Sequence, residues 1–84
     1  MSANSDYQRT DDEIGALLSQ WLLKTLGNDE LRKRIDALDT EDLAPGQRVA
    51  VEELMTALAG AFPGETGGLE MVVRETIEAL AYGE

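Results

Sequence analysis

Cysteine and histidine are both missing from this 84-residue chain. Without cysteine there is no disulfide framework and no thiolate metal site. Without histidine the commonest general base and the commonest transition-metal ligand are gone. A hydrolytic triad, a zinc site and a haem site all lose their usual residues. Basic charge is also scarce: seven Lys and Arg stand against seventeen Asp and Glu, for a formal charge of −10. Nucleic-acid binding draws on Lys and Arg to neutralise phosphates, so it is not expected. An anionic membrane would repel the same surface. Long apolar runs are lacking too. The opening MSANSDYQRTDD has no basic n-region, and the first apolar pattern is amphipathic rather than continuous, which argues against a signal peptide or a spanning segment. The expected location is the cytoplasm.

What is present is a length and a hydrophobic content of 43% that suit one small domain with a thin core. Residues 1–9 are polar and aperiodic and are expected to form a flexible tail, leaving 10–84 as a single domain. Thr10-Asp11-Asp12-Glu13 has the form of a capping box, with Thr10 as the cap and Glu13 reaching back. Ile14, Leu17, Leu18, Trp21, Leu22 and Leu26 then recur at helical spacing, with Leu23 off the stripe. Gly27 is placed to end that helix in the left-handed conformation. Asn28 can cap a short second helix whose apolar side is Leu31, Ile35 and Leu38.

The segment Asp39 to Pro45 is acidic, and Leu43 is its large apolar anchor. Pro45 fits the first turn of a third helix, where its missing N–H costs nothing. That helix carries Val51, Leu54, Met55, Leu58 and Phe62 on one side and is expected to end at Pro63-Gly64. After Gly67-Gly68 a fourth helix presents Leu69, Val72, Val73, Ile77, Leu80 and Ala81, with Met71 off the stripe and Arg74, Glu75 and Glu78 pointing away. No segment alternates with period two for long enough to form a strand. The spacing predicts an all-α fold, a small four-helix bundle.

Candidate chemistry is thin. Glu52-Glu53 and Glu75-Glu78 could supply acid–base or metal ligands, but the spacing of a calcium loop is absent and solvated helix faces explain them. Gly64-Glu65-Thr66-Gly67-Gly68 lacks the lysine and the preceding strand of a phosphate-cradling loop, so it is a linker. Arg32-Lys33-Arg34 sits among Asp29, Glu30 and Asp36, which predicts a salt-bridged helix surface. Trp21, Met55, Phe62 and Tyr82 lie at or beside stripe positions and are assigned to the core. No Ser or Thr has a base beside it in sequence, so nucleophilic catalysis has no support. The expectation is a protein that is not an enzyme and uses no cofactor.

Several short motifs fall at a particular spacing. Leu26-Gly27 closes the first helix, Glu41-Asp42-Leu43 occupies the second loop, and Val51-Glu52 opens the run toward Leu54 and Met55. Gly27 and Gln47 lie twenty positions apart. In these features the chain resembles the acyl carrier proteins of fatty-acid and polyketide synthesis, which are small, acidic four-helix bundles. The resemblance covers residues 13–62 and, loosely, the fourth helix. Gln47 stands where that family carries its phosphopantetheine-bearing serine, and Gly46 replaces the preceding Asp. A carboxamide cannot form the phosphodiester that a hydroxyl forms. Glu53 falls where the family has Leu, and the segment after Phe62 is short for the family's extra small helix.

The resemblance implies a carrier-like protein without its arm, docking to a basic surface on an enzyme of acyl or polyketide metabolism. Glu41, Asp42 and Glu52 are then the contact residues, and Gln47 marks the vacated attachment point. By capping and patterning alone, Gln47 is instead a solvent-facing residue of a helix first turn. The alternative function is an acidic helical adaptor or an oligomerisation module, suggested by Leu23, Val49 and Met71 lying off the main stripes. In either case the partner is a basic-surfaced protein or a second copy of the chain.

Overall fold

The computed structural model describes residues 9–62 and 65–83. Residues 1–8 of the tail expected at 1–9, and the Pro63-Gly64 terminator, lie outside the described residues. Four helices follow in order: α1 (Thr10–Leu22), α2 (Asn28–Asp36), α3 (Pro45–Gly60) and α4 (Gly67–Tyr82), with a single 3-10 turn at Thr40–Asp42 between α2 and α3. Among the described residues there is no strand, and no helix is long and apolar enough to cross a membrane. The architecture is a small all-α four-helix bundle. α1 packs on α2 and α4, and α3 packs on α2 and α4. α2 and α4 therefore occupy opposite corners.

One core joins the four helices. Ile14, Leu18 and Trp21 enter it from α1, Leu31 and Ile35 from α2, and Leu43 from the loop. Val51, Leu54 and Leu58 come from α3, and Leu69, Val73 and Leu80 from α4. Leu17, Leu22, Leu26, Leu38, Met55, Val72 and Ile77 pack around them, partly buried. Burying one such Leu or Ile is worth about 2 kcal/mol in water-to-core transfer, so the stripes, rather than local propensity, hold the bundle together.

The helix ends depart from the sequence expectations. Thr10 does not cap α1. Arg9 occupies that position, its carbonyl accepting from the Glu13 N–H at 3.0 Å. The Thr10 hydroxyl instead donates to Asp42 Oδ2 at 3.4 Å. Gly27 does not end α1 either. The helix stops at Leu22, and the left-handed residue is Lys24, at φ 66°. Thr25 N–H reaches Gln20 O and Lys24 N–H reaches Trp21 O, both at 3.0 Å. This is the paired bonding that satisfies the last carbonyls of a helix around one left-handed residue. Gly27, extended at φ −83° and ψ 172°, caps α2.

Asn28 is the first residue of α2 and serves as a brace, not a cap. Its Oδ1 accepts from Trp21 Nε1 at 2.6 Å and its Nδ2 donates to Glu65 O at 2.8 Å. One amide thus ties α1, α2 and the approach to α4. α3 stops at Gly60, before Phe62 can complete the stripe, and Phe62 is 78% exposed. Tyr82 and Ala81 are exposed as well, so neither aromatic belongs to the core. α4 begins at Gly67 rather than after Gly68, and Gly83, at φ 73°, closes it.

Candidate functional site

The residues singled out at the second loop come from two elements. Glu41 and Asp42 form the 3-10 turn, which Asp39 caps by accepting the Glu41 N–H at 3.1 Å. Leu43 then plunges into the core and Pro45 starts α3. Glu41, Asp42 and Glu52 are all exposed. Glu52 lines a groove of about 460 Å³ between α2 and α3. Its floor is Leu38, Val51 and Met55, and its rim holds Asp36, Thr40 and Arg48 beside Glu52. Glu41 and Asp42 continue the chain directly from Thr40 at one end of this groove.

The opposite end of the groove opens into a second hollow lined by Arg32, Lys33, Met55 and Ala59. The salt-bridged surface expected here is only partly formed. Arg34 Nε meets Glu30 Oε2 at 3.0 Å, one turn apart on α2. The other ion pair among the described residues is Arg9 with Asp11 at 3.2 Å. Arg32 and Lys33 therefore enter no ion pair among the described residues. The groove accordingly offers an apolar floor and exposed charges of both signs.

Gln47 is not part of that exposed surface. It is 3% exposed and lies on the inner side of the α3 first turn. Its Oε1 accepts from the Ala44 N–H at 2.9 Å. Its Nε2 donates to Leu80 O at 2.9 Å and, more loosely, to Asp11 Oδ2 at 3.4 Å. Ala44 has no side-chain acceptor, so only one half of a capping box is present, and the other arm of the amide is free to reach α4 and α1. Gln47 neither projects as an attachment point would nor faces solvent as a first-turn residue would. Its position could have been read from spacing: Gln47, Val51, Leu54 and Leu58 recur at i, i+4, i+7 and i+11. Thr76 occupies the equivalent polar place on the stripe of Leu69, Val73 and Leu80, its hydroxyl satisfied by Val72 O at 2.8 Å.

Among the described residues no three carboxylates gather to hold a metal ion. The exposed set can bury apolar side chains, accept hydrogen bonds from cations and exchange ion pairs. Comparison of the chain with protein families, with characterised proteins and with solved structures finds no match.

Proposed function

We propose that the protein is a non-catalytic docking module that meets a basic-surfaced protein through the groove between α2 and α3. The observation that carries this reading is the grouping of an apolar floor, Leu38, Val51 and Met55, with the exposed carboxylates of Asp36 and Glu52 on its rim. The Thr40–Asp42 turn adds Glu41 and Asp42 beside it. Such a surface gives a partner apolar area for affinity and charge for steering and register. The net charge of −10 sets the sign of the long-range field.

The test compares the immobilised wild-type chain with a Glu41→Gln, Asp42→Asn, Glu52→Gln variant on an extract of the cells that make it. The expected result is a protein held by the wild-type chain at low salt, released as salt rises, and not held by the variant. Equal retention by both chains, or retention indifferent to salt, overturns the reading.

A carrier-like version of the same proposal makes the partner an enzyme of acyl or polyketide metabolism. It draws on the order of loop, buried Leu43 and α3, with Val51-Glu52 inside that helix. The burial of Gln47 bears on its chemistry, because a modifying enzyme needs a hydroxyl it can reach. The Gln47→Ser variant, incubated with coenzyme A and a phosphopantetheinyl transferase, should keep its mass. Gain of the arm at that serine would mean that the first turn of α3 opens outward and that a covalent role belongs to this site.

A further inference from the structure

The outer face of α4 carries a pattern that covering a core does not require. Its buried stripe is Leu69, Val73, Thr76 and Leu80. On the far side of the helix, Met71, Glu75, Glu78 and Tyr82 recur with the same i, i+4, i+7, i+11 spacing. At 100° per residue these four fall within an arc of roughly 60°, opposite the buried one. Met71 is 68% and Tyr82 77% exposed. They are the two large apolar side chains on that line, separated by about 16 Å of helix, with two carboxylates between them. A single exposed Met or Tyr needs no explanation. Two on the outermost line of one helix, where an amphipathic surface helix carries polar residues, do.

We infer that this line is a second docking surface, and that its partner is a cationic amphipathic element: an apolar seam flanked by Lys or Arg. The spacing is that of anchor residues on a helix laid against a partner. Tyr and Met are residue types enriched at the centres of protein interfaces. Glu70, Glu75 and Glu78 share this face with one cation, Arg74, so it stays net negative and selects a partner of positive sign. A second copy of the chain is a poor occupant, since two such faces would oppose the carboxylates of Glu75 and Glu78 from both copies with only the Arg74 guanidiniums to offset them. The inference does not rest on the α2–α3 groove, because α4 and α2 stand at opposite corners of the bundle.

The experiment titrates the full, isotope-labelled chain with a synthetic amphipathic helix of Leu and Lys, about fourteen residues long and capped at both ends. Amide shifts should concentrate at Met71, Glu75, Glu78 and Tyr82. The Met71→Ser, Tyr82→Ser variant should bind about tenfold more weakly or worse. The Glu75→Gln, Glu78→Gln variant should bind more weakly with a flatter salt dependence. All four positions are exposed, so circular dichroism should show the fold retained.

Binding of a matched peptide with Glu in place of Lys, shifts confined to the α2–α3 groove, or no binding up to millimolar peptide each overturns the inference. So does a dimer in sedimentation that the Met71→Ser, Tyr82→Ser variant abolishes, because the occupant would then be a second copy. The variant carrying Glu41→Gln, Asp42→Asn and Glu52→Gln should leave the shifts at Met71, Glu75, Glu78 and Tyr82 as they are in the wild type, which keeps failure of this surface distinct from failure of the groove.

Discussion

Replacing Gln47 with alanine removes a buried amide that holds three parts of the bundle at one end. The Ala44 N–H loses its acceptor at 2.9 Å, Leu80 O loses its donor at 2.9 Å, and Asp11 loses a weaker contact at 3.4 Å. A buried polar group left without its partner costs about 1–3 kcal/mol. The Leu80 carbonyl faces a site that is 3% exposed at Gln47, whereas the half-buried Ala44 can recruit water. A total loss of about 3 kcal/mol follows, including the small void. For a chain this size that is a large part of its stability. Urea unfolding followed by Trp21 fluorescence reads it directly. With a slope of about 1 kcal/mol per molar urea, the midpoint should fall by about 3 M.

A loss below about 1 kcal/mol with an unchanged slope would refute the reasoning. The Gln47→Glu variant sharpens it. A carboxylate can still accept from Ala44 but cannot donate to Leu80 O, and it faces the Asp11 carboxylate. Both effects favour the protonated acid, so its folded-state pKa is raised above the unfolded value of about 4.3. The stability held by the protonated form is complete below the unfolded value and is lost as pH rises through the folded one. This variant should therefore approach the wild type on acidification, and the alanine variant should not.

Three further outcomes are expected. Lys24 holds φ 66°, so Lys24→Gly should stabilise the chain by about 0.5–1 kcal/mol in the same urea assay; destabilisation would mean that the Lys24 side chain contributes more than its backbone costs. Asn28→Ala strips partners from Trp21 Nε1 and Glu65 O; a loss of about 2 kcal/mol and a changed Trp21 emission spectrum are expected. Phe62→Ser, outside α3 and exposed, should shift stability by no more than about 0.5 kcal/mol, and a larger loss would place the ring in the core.

Periodicity made the four helices and most of the core legible, because Ile14, Leu18, Val51, Leu54, Leu69 and Val73 can each be assigned a side from spacing alone. The ends were harder to read. Thr10, Gly27 and Asn28 are all good terminal residues by type, yet each sits one or more positions away from the expected role. Residue type marks only that a boundary is near. Backbone bonds place it, and a lysine can take the left-handed site when Thr25 and Lys24 N–H groups close on Gln20 and Trp21. Phe62 fell out of its stripe because the helix that sets the phase ends at Gly60. Gln47 and Thr76 were missed for the converse reason. Both occupy stripe positions, but a polar type suggests an outward side unless its hydrogen bonds can be foreseen. For Gln47 those bonds reach 33 and 36 residues along the chain.

Those bonds bear on the carrier-like version of the proposed function. A residue that bears a prosthetic arm must leave its helix end open to an enzyme, whereas here the first turn of α3 is clasped to α1 and α4 by one amide. The same position cannot serve both ends without the clasp being released. If docking is the role, the clasp favours it, since a first turn of fixed orientation holds Arg48, Val51 and Glu52 at constant spacing along the groove. Rigidity of that kind lowers the entropy lost on association. It also bears on whether the groove and the outer face of α4 sense each other. Gln47 bonds to Leu80 O, two residues before Tyr82, so one hydrogen bond joins the start of α3 to the end of α4. While that bond holds, it offers the two sites no alternative state through which to exchange free energy. Ligands at the two surfaces should therefore bind independently in the wild type, and coupling should emerge only when Gln47→Ala loosens the joint.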